Sequence, residues 1–418
     1  MVVKHMNNNL VIIGGGVAAF NAIKAIREID SNIDIHLIVN EPINPYYRTR
    51  LTKSLFDDLD TDKICLQKKE WYEQNNVIIY RAKEAILVDT DNDTVKLNDG
   101  TSLQYTKLLL ANGAYNFKPS IEGIDKENVY TIRTLEDIKK IKSKINNYNT
   151  ILHIGGGIQN LEAAWAFSSN GKDVIIVEFM DRLMPRQLDI RASEILKKAV
   201  EATNTKVILN TEVIKLTGND KVDAAIVRNR ESSPEHDGDD PIACDMIIYS
   251  VGVRPNKKIY EDTAIKINMG VMVDEHMRTN IENIYAAGDI AEYKGRVGGL
   301  WPIAIEQGKI AGYNIAGKAS TYTEILPVTN MNAFNLNVFS IGIIDETKAS
   351  LTLTDDPLDN KSYKRLFIKD KQIIGAIVIG ETKYNNMLRK LVNDKTDISS
   401  IDYTNRSLVD LLEELKTL

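Results

Sequence analysis

Leu10-Val11-Ile12-Ile13-Gly14-Gly15-Gly16-Val17-Ala18-Ala19 runs from a short apolar segment through three glycines into residues of helical period, and Ile151-Leu152-His153-Ile154-Gly155-Gly156-Gly157-Ile158-Gln159-Asn160 does the same. The helical period continues at Ala19, Ala22, Ile23 and Ile26 after the first stretch and at Leu161, Ala164, Trp165 and Phe167 after the second. The pattern is strand, tight turn, helix. The first glycine makes the turn, the second lets a diphosphate approach the backbone, and the helix start offers free N–H groups and partial positive charge. A lone triple glycine is often only a structural turn. Two copies in one context, each followed by an acid, imply two dinucleotide sites. They differ at the third small position, Ala19 against Asn160, where a small side chain lets helix pack on strand. Asn160 is therefore expected either to hold the second helix off its sheet or to reach a ligand itself.

Outward from the first turn, Ile33–Val39 reads as a strand ending at Asn40-Glu41. An acid at this distance from the glycines grips the adenosine ribose hydroxyls, which makes Glu41, with Asn40 beside it, the candidate. The loop Glu41-Pro-Ile-Asn-Pro-Tyr-Tyr-Arg48-Thr-Arg50-Leu-Thr-Lys53 is stiffened by two prolines and brings Arg48, Arg50 and Lys53 near the same site. Short strands with a hairpin follow over residues 76–110, then a small-residue turn, Ala111-Asn112-Gly113-Ala114, where the chain passes a bound cofactor and leaves the domain. Thr134 reads as a helix cap. The second unit's second strand, Asp173–Val177, ends at Glu178, an acid that accepts the ribose hydroxyls of NAD and repels the extra phosphate of NADP, although Arg182 and Arg186 lie near. Strands are expected at Lys206–Leu209, Ala224–Val227 and Met246–Val251, with Asn229–Asp240 a surface loop in which His236 is merely solvated. The apolar strand at Ile284 ends on Gly288-Asp289, which places Asp289 at a ligand-binding strand end. Trp301 opens a long helix, and from about residue 321 the texture changes to four strands and two helices without a glycine turn.

At 418 residues the chain is expected to hold two or three domains, and 43% hydrophobic with 26% charged residues is ordinary for a globular protein. A net charge of −6 argues against nucleic-acid or anionic-membrane partners. No apolar run reaches membrane-spanning length, the first residues are too short for a signal peptide, and a cytoplasmic protein is expected, with the native status of residues 1–5 left open. The two cysteines, Cys65 and Cys244, form no C-x-x-C pair and read as reduced thiols, Cys65 in a strand-like run.

Taken together, these motifs resemble the FAD-dependent pyridine-nucleotide oxidoreductase family, and within it the NADH:rubredoxin and ferredoxin reductases with the flavin portion of nitrite reductases. The resemblance rests on Glu41-Pro…Pro-Tyr-Tyr-Arg48…Leu-Thr-Lys53, on Ala111-Asn112-Gly113-Ala114, on Tyr285-Ala-Ala-Gly-Asp289 and on Trp301…Ala304…Gln307-Gly308. It implies an α/β protein with two Rossmann-like domains, glutathione-reductase-like, and a C-terminal α+β domain. The expected division is 1–115 and 254–320 for FAD, 116–253 for NAD, and 321–418 for the third domain. It also implies roles. Gly14, Gly16, Val17, Ala18, Asn40 and Glu41 hold the FAD adenosine diphosphate; Arg48, Lys53, Leu300 and Trp301 line the flavin. Ala85 meets the adenine, Ala111, Asn112 and Gly113 pass the cofactor, Arg133 reaches the phosphates and Asp289 the ribityl chain. Gly155, Gly157, Ile158, Glu178 and Gly252 receive NADH, and Glu162 pairs with Lys53 as the catalytic couple. Two departures are Gln159-Asn160 at the NAD turn and Thr49-Arg50 before Lys53.

The family's disulfide reductases and peroxidases need cysteine within the segment corresponding to Tyr46–Phe56, which here has none. Electrons are expected to pass from FAD, reduced by NADH, to an external acceptor, a rubredoxin- or ferredoxin-type protein. An NADH oxidase, a nitrite-reductase flavin component and a low-turnover NADH-responsive sensor are the alternatives. Arg50, Lys294 and Arg296 are the positives expected to receive the acceptor, and oligomeric state stays open.

Overall fold

A computed structural model describes residues 8–57, 60–231, 240–404 and 406–417. The chain divides into two units, the first made of residues 1–50, 58–116 and 252–325, the second of 51–57, 117–251 and 326–418. His236 lies outside the described residues.

In the first unit, five parallel strands lie in the order Ile284–Ala286, Lys107–Leu110, Asn9–Ile13, Asp34–Val39, Val77–Arg81. Alternation along the central strand splits its core. Leu10 and Ile12 pack with helix Val17–Arg27 and helix Trp301–Ile315, while Val11 and Ile13 pack on the other face with an antiparallel meander, Ala85–Asp89, Thr94–Leu97 and Ser102–Gln104. The two helices approach so closely that a Cβ on Gly308 would come within 2.2 Å of the Ala18 carbonyl oxygen.

The second unit repeats the plan. Its parallel order is Thr205–Ile208, Asp173–Val177, Thr150–Ile154, Met246–Tyr249, Val129–Tyr130, with an antiparallel trio, Thr211–Thr217, Ala224–Asn229 and Asp240–Ala243, beside it. Thr134 caps helix Leu135–Lys144 in a capping box with Asp137. The last part of the chain adds an antiparallel sheet, Val328–Ala333, Leu336–Gly342, Gln372–Ile379, Tyr363–Lys369, Leu351–Asp355, covered by helices Asn385–Asn393 and Leu408–Leu415. Trp165 on helix Ile158–Ser168 meets Phe334 of this sheet at a centroid distance of 5.3 Å.

Some local expectations fail. The segment around Cys65 is a short helix, Thr61–Ile64, whose Asp60 cap accepts from Asp62 and Lys63 N–H groups, with Cys65 just beyond it. Strands Thr211–Thr217 and Val328–Ala333 were not anticipated. Among the described residues no helix is long and apolar enough to cross a membrane, and no group of three or more His, Cys, Asp or Glu side chains could hold a metal.

Candidate functional site

The two triple-glycine turns end the central strands of the two parallel sheets, each at the strand's carboxyl end. Gly14 and Gly155 have φ of 109° and 106°, a region costly for any other residue. Each also has no room for a side chain: a Cβ would stand 2.3 Å from Ala111 O in the first case and 2.7 Å from Ser250 O in the second. Gly16 and Gly157, the N-cap residues, carry no side-chain cap, and a Cβ on either would meet nothing within 4 Å. Two helix starts therefore face open space with their N–H groups available, which suits a diphosphate.

Around the first start the chain assembles polar groups. Glu41 is buried and accepts from Arg48 at 2.6 Å and from the Tyr46 hydroxyl at 2.9 Å, while Arg48 also donates to Tyr46 at 3.0 Å. Burial works against the Arg48 charge, but Tyr46 and Glu41, with Asp289 beyond them, outweigh it and raise its pKa. The Glu41 carboxylate is thereby fixed in orientation. Gly288 donates its N–H to buried Gln307 at 2.9 Å, which fixes the turn that presents Asp289. Trp301, one residue after the Leu300 cap, stacks on Tyr47 at 5.9 Å. Ala85 is buried at the start of the meander and Asn40 is exposed.

The Ala111-Asn112-Gly113 turn lies over Gly14, as its small residues imply. The Asn112 side chain is committed elsewhere. It donates to Asn256 O at 2.8 Å and accepts from the Tyr260 hydroxyl at 2.9 Å, while the Asn112 main-chain oxygen accepts from Asn256 Nδ2 at 2.7 Å. Of the basic groups, Arg50 donates to Lys63 O at 3.2 Å, Lys294 lies over the Tyr293 ring, and Arg296 pairs with Glu324 at 3.1 Å, which offsets part of the positive patch.

The second start is built from backbone. Buried Glu178 accepts from the Gly156 N–H and, at 2.7 Å, from the Met180 N–H. Arg182 is turned onto Asp181 at 2.8 Å and Pro185 O at 3.4 Å. Arg230, which the sequence did not single out, lies over the Phe179 ring at 3.9 Å. Ile158 is half-buried at the first helical position, and Gly252 has a φ of 109° with open space around it.

Asn160 neither reaches outward nor stays loose. It is 1% exposed, donates to Ile154 O at 2.9 Å and Gly155 O at 2.7 Å, and accepts from His153 Nδ1 at 2.8 Å. His153 is fully buried, its Nε2 has no partner, and burial pushes its pKa down to about 4, opposed by the Asn160 bond. Gln159 likewise turns aside, donating to Ile132 O at 2.5 Å and accepting from Ser250 Oγ at 3.1 Å. The Gln159-Asn160 departure thus braces the turn and leaves its mouth clear.

The Lys53–Glu162 couple is looser than expected. Glu162 is half-buried and its hydrogen bond comes from Thr52 Oγ1 at 3.3 Å, a residue not anticipated. Lys53 is exposed and acts on Glu162 through its charge: burial raises the Glu162 pKa, and Lys53 and Thr52 oppose the rise. Arg133 lies ahead of helix Leu135–Lys144 with its N–H on Asp137 at 2.9 Å.

Residues 8–308 match the family described as pyridine nucleotide-disulphide oxidoreductase, and residues 327–396 match the rubredoxin NAD+ reductase C-terminal domain. The chain is 30% identical over 400 residues to an NADH-rubredoxin oxidoreductase of Clostridium acetobutylicum, covering 95% of this chain and 98% of that one. The crystal structure of NADH:rubredoxin oxidoreductase from that organism superposes with a TM-score of 0.77 at 29% identity, over 97% of this chain and 99% of the other. A nitrite reductase [NAD(P)H] of Bacillus subtilis is 30% identical over 393 residues, 93% of this chain but 48% of the relative, so the chain spans about half the length of that protein.

Proposed function

The chain belongs to the pyridine nucleotide-disulphide oxidoreductase family, and from that premise we propose that it draws electrons from NADH through FAD and passes them to a small rubredoxin- or ferredoxin-type redox protein. It is an oxidoreductase, and FAD and NADH are its cofactors. When bound, NADH supplies hydride and the flavin supplies the change from paired to single electrons.

Residues 1–115 and 254–320 form the FAD domain in this reading, 116–253 the NAD domain and 321–418 a third domain. Gly14 makes the turn, Gly16, Val17 and Ala18 offer helix-start N–H groups to the FAD diphosphate, and Arg48, held by Glu41, lines the flavin side. Glu41 and Asn40 take the adenosine ribose, Ala85 the adenine and Asp289 the ribityl chain. Ala111, Asn112 and Gly113 contribute main chain, Leu300 and Trp301 orient the ring, and Arg133 supports the phosphates. Gly155, Gly157, Ile158 and Gly252 receive NADH, and Glu178 orients its ribose hydroxyls. Lys53, with Glu162 as counter-charge and Thr52 fixing the carboxylate, offsets the negative charge that reduction creates. The protein works in the cytoplasm.

Both cysteines are free, and burial raises both thiols, Cys65 above its ordinary value and Cys244 to about 12, so neither offers a thiolate relay. The observation that carries the proposal is the pair of open glycine-turn helix starts, each with an oriented acid, in a chain without a dithiol.

Anaerobic stopped-flow mixing with NADH, then with rubredoxin or ferredoxin, tests it. Fast bleaching by NADH and reoxidation by the acceptor are expected. In a parallel aerobic run, oxygen uptake matching NADH mole for mole without acceptor turnover would assign an oxidase instead. Persistent charge-transfer absorbance with no turnover on any acceptor would assign a sensor.

A further inference from the structure

The loop from Glu178 to Asp189 wraps the second glycine turn. Glu178 is bound to the Gly156 N–H, and Met184, with φ of 49°, returns its own N–H to Gly156 O at 3.1 Å. Between them Leu183 fills the space where a Gly156 side chain would stand, and its carbonyl accepts from buried Ser193 Oγ at 2.9 Å. The loop ends at Asp189, the N-cap of helix Ile190–Glu201, whose Oδ1 accepts from the Ala192 N–H at 2.8 Å.

A cap needs only one carboxylate oxygen, yet here the other is occupied as well. Asp189 Oδ2 accepts from the Tyr363 hydroxyl at 2.7 Å and from Arg365 at 2.9 Å, both on strand Tyr363–Lys369 of the C-terminal sheet. The Arg365 and Asp189 side chains are 15% and 13% exposed, so this pair is not a solvated surface contact. Two residues on, Arg191 makes a bidentate pair with Asp356, at 2.6 and 3.0 Å, and reaches Asn360 at 3.2 Å in the turn that joins strands Leu351–Asp355 and Tyr363–Lys369. The hairpin of the last sheet thus grips both sides of the helix start at which the nucleotide loop is tied off.

We propose that this hairpin is a clamp that positions the NADH loop: Arg365, Tyr363 and Asp356, through Asp189 and Arg191, hold Glu178 and the Gly156 turn in the geometry that receives the adenosine ribose and diphosphate. These are positioning residues, since none is placed on the nucleotide. The proposal rests on the second glycine turn being the NADH site. It gives the C-terminal domain a part in nucleotide affinity in addition to whatever it offers an acceptor. Linkage makes the effect mutual, so nucleotide binding must also steady the hairpin.

The test uses the FAD-loaded full chain and its Arg365→Gln and Asp356→Asn variants, with Arg365→Lys as the conservative control. NAD+ affinity is read by calorimetry, KM and kcat for NADH with ferricyanide as acceptor, and hydrogen exchange across residues 351–369 with and without NAD+. Weakening of NAD+ binding and a rise in KM of about 5- to 20-fold are expected, with FAD content and kcat unchanged and partial recovery in Arg365→Lys. Exchange in the hairpin should slow when NAD+ binds to the unaltered protein. Variants that melt earlier but bind NAD+ as tightly as the parent would overturn the clamp and leave a structural brace. An unaltered protein that binds neither NAD+ nor NADH would instead overturn the assignment of the second site.

Discussion

The two glycine turns of this chain share backbone geometry and differ in what surrounds them. At the first, the acid Glu41 is held by side chains, Arg48 and Tyr46, and the helix behind it is met at Ala18 by Gly308. At the second, the acid Glu178 is held by main-chain N–H groups, and a buried polar pair, His153 and Asn160, sits under the turn. The first turn's acid thus comes with its own cation, Arg48, at 2.6 Å. The second has only the helix start and an oriented acid. This difference fits a resident cofactor at one turn and an exchanging nucleotide at the other.

Alanine substitution at the leading glycines is the most severe way to break the comparison. Gly14→Ala forces a Cβ to within 2.3 Å of Ala111 O at a φ of 109°. Backbone strain of about 1–3 kcal/mol there converts to roughly 5- to 150-fold loss of FAD affinity. Gly155→Ala, with Ser250 O at 2.7 Å, should leave the flavin in place and weaken NADH binding instead. Acid-released FAD per chain and NAD+ calorimetry separate the two. Equal flavin loss in both variants would erase the distinction between the turns.

A smaller effect is expected at Glu178. Its carboxylate is oriented by Gly156 and Met180, and Arg182 is spent on Asp181, so the 2′-phosphate of NADPH meets an acid with no free arginine from that residue. Preference for NADH should be about 10- to 100-fold, equivalent to roughly 1–3 kcal/mol. Glu178→Ala should narrow the ratio of flavin reduction rates by the two nucleotides. An unaltered protein reduced equally fast by both at matched low concentration would show that the backbone-held acid does not select.

Much of this was legible in the sequence, and the failures have physical causes. Both turns, both acids and the parallel strands were readable because apolar runs, glycine triplets and helical period coincide there. Strand Thr211–Thr217 was not, because a bulge between Val213 and Lys215 breaks its two-residue alternation. Val328–Ala333 hid behind Asn330 and Asn332, poor strand formers that point outward while Thr329, Met331 and Ala333 are buried. The helix at Thr61–Ile64 is a single capped turn, too short to display a period. In the site, Thr52 on Glu162 and Asp189 on Arg365 are contacts between residues 110 and 176 positions apart, which no local pattern encodes. Asn160 was readable as a departure, but its inward turn depends on His153, seven residues earlier.

That pair offers the finest way to sharpen the comparison, because the first turn has nothing like it. His153 Nδ1 donates to Asn160, and Asn160 spends both amide hydrogens on the turn, so removing one partner strands a buried polar group. His153→Leu and Asn160→Ala should each cost about 1–3 kcal/mol of stability, and the double variant less than their sum. Acidity supplies a second reading. The folded-state pKa of about 4 lies below the ordinary 6.5, so the unfolded chain binds the proton more readily. The contribution of neutral His153 is complete above about pH 6.5, falls as pH drops toward 4, and amounts to roughly 2 kcal/mol between pH 7 and pH 5. Urea unfolding of the second unit at those two pH values, for the parent and the double variant, isolates this share as a difference of slopes. If the double variant loses as much stability on acidification as the parent, His153 is not the group that titrates, and the polar pair merely fills space beneath the turn.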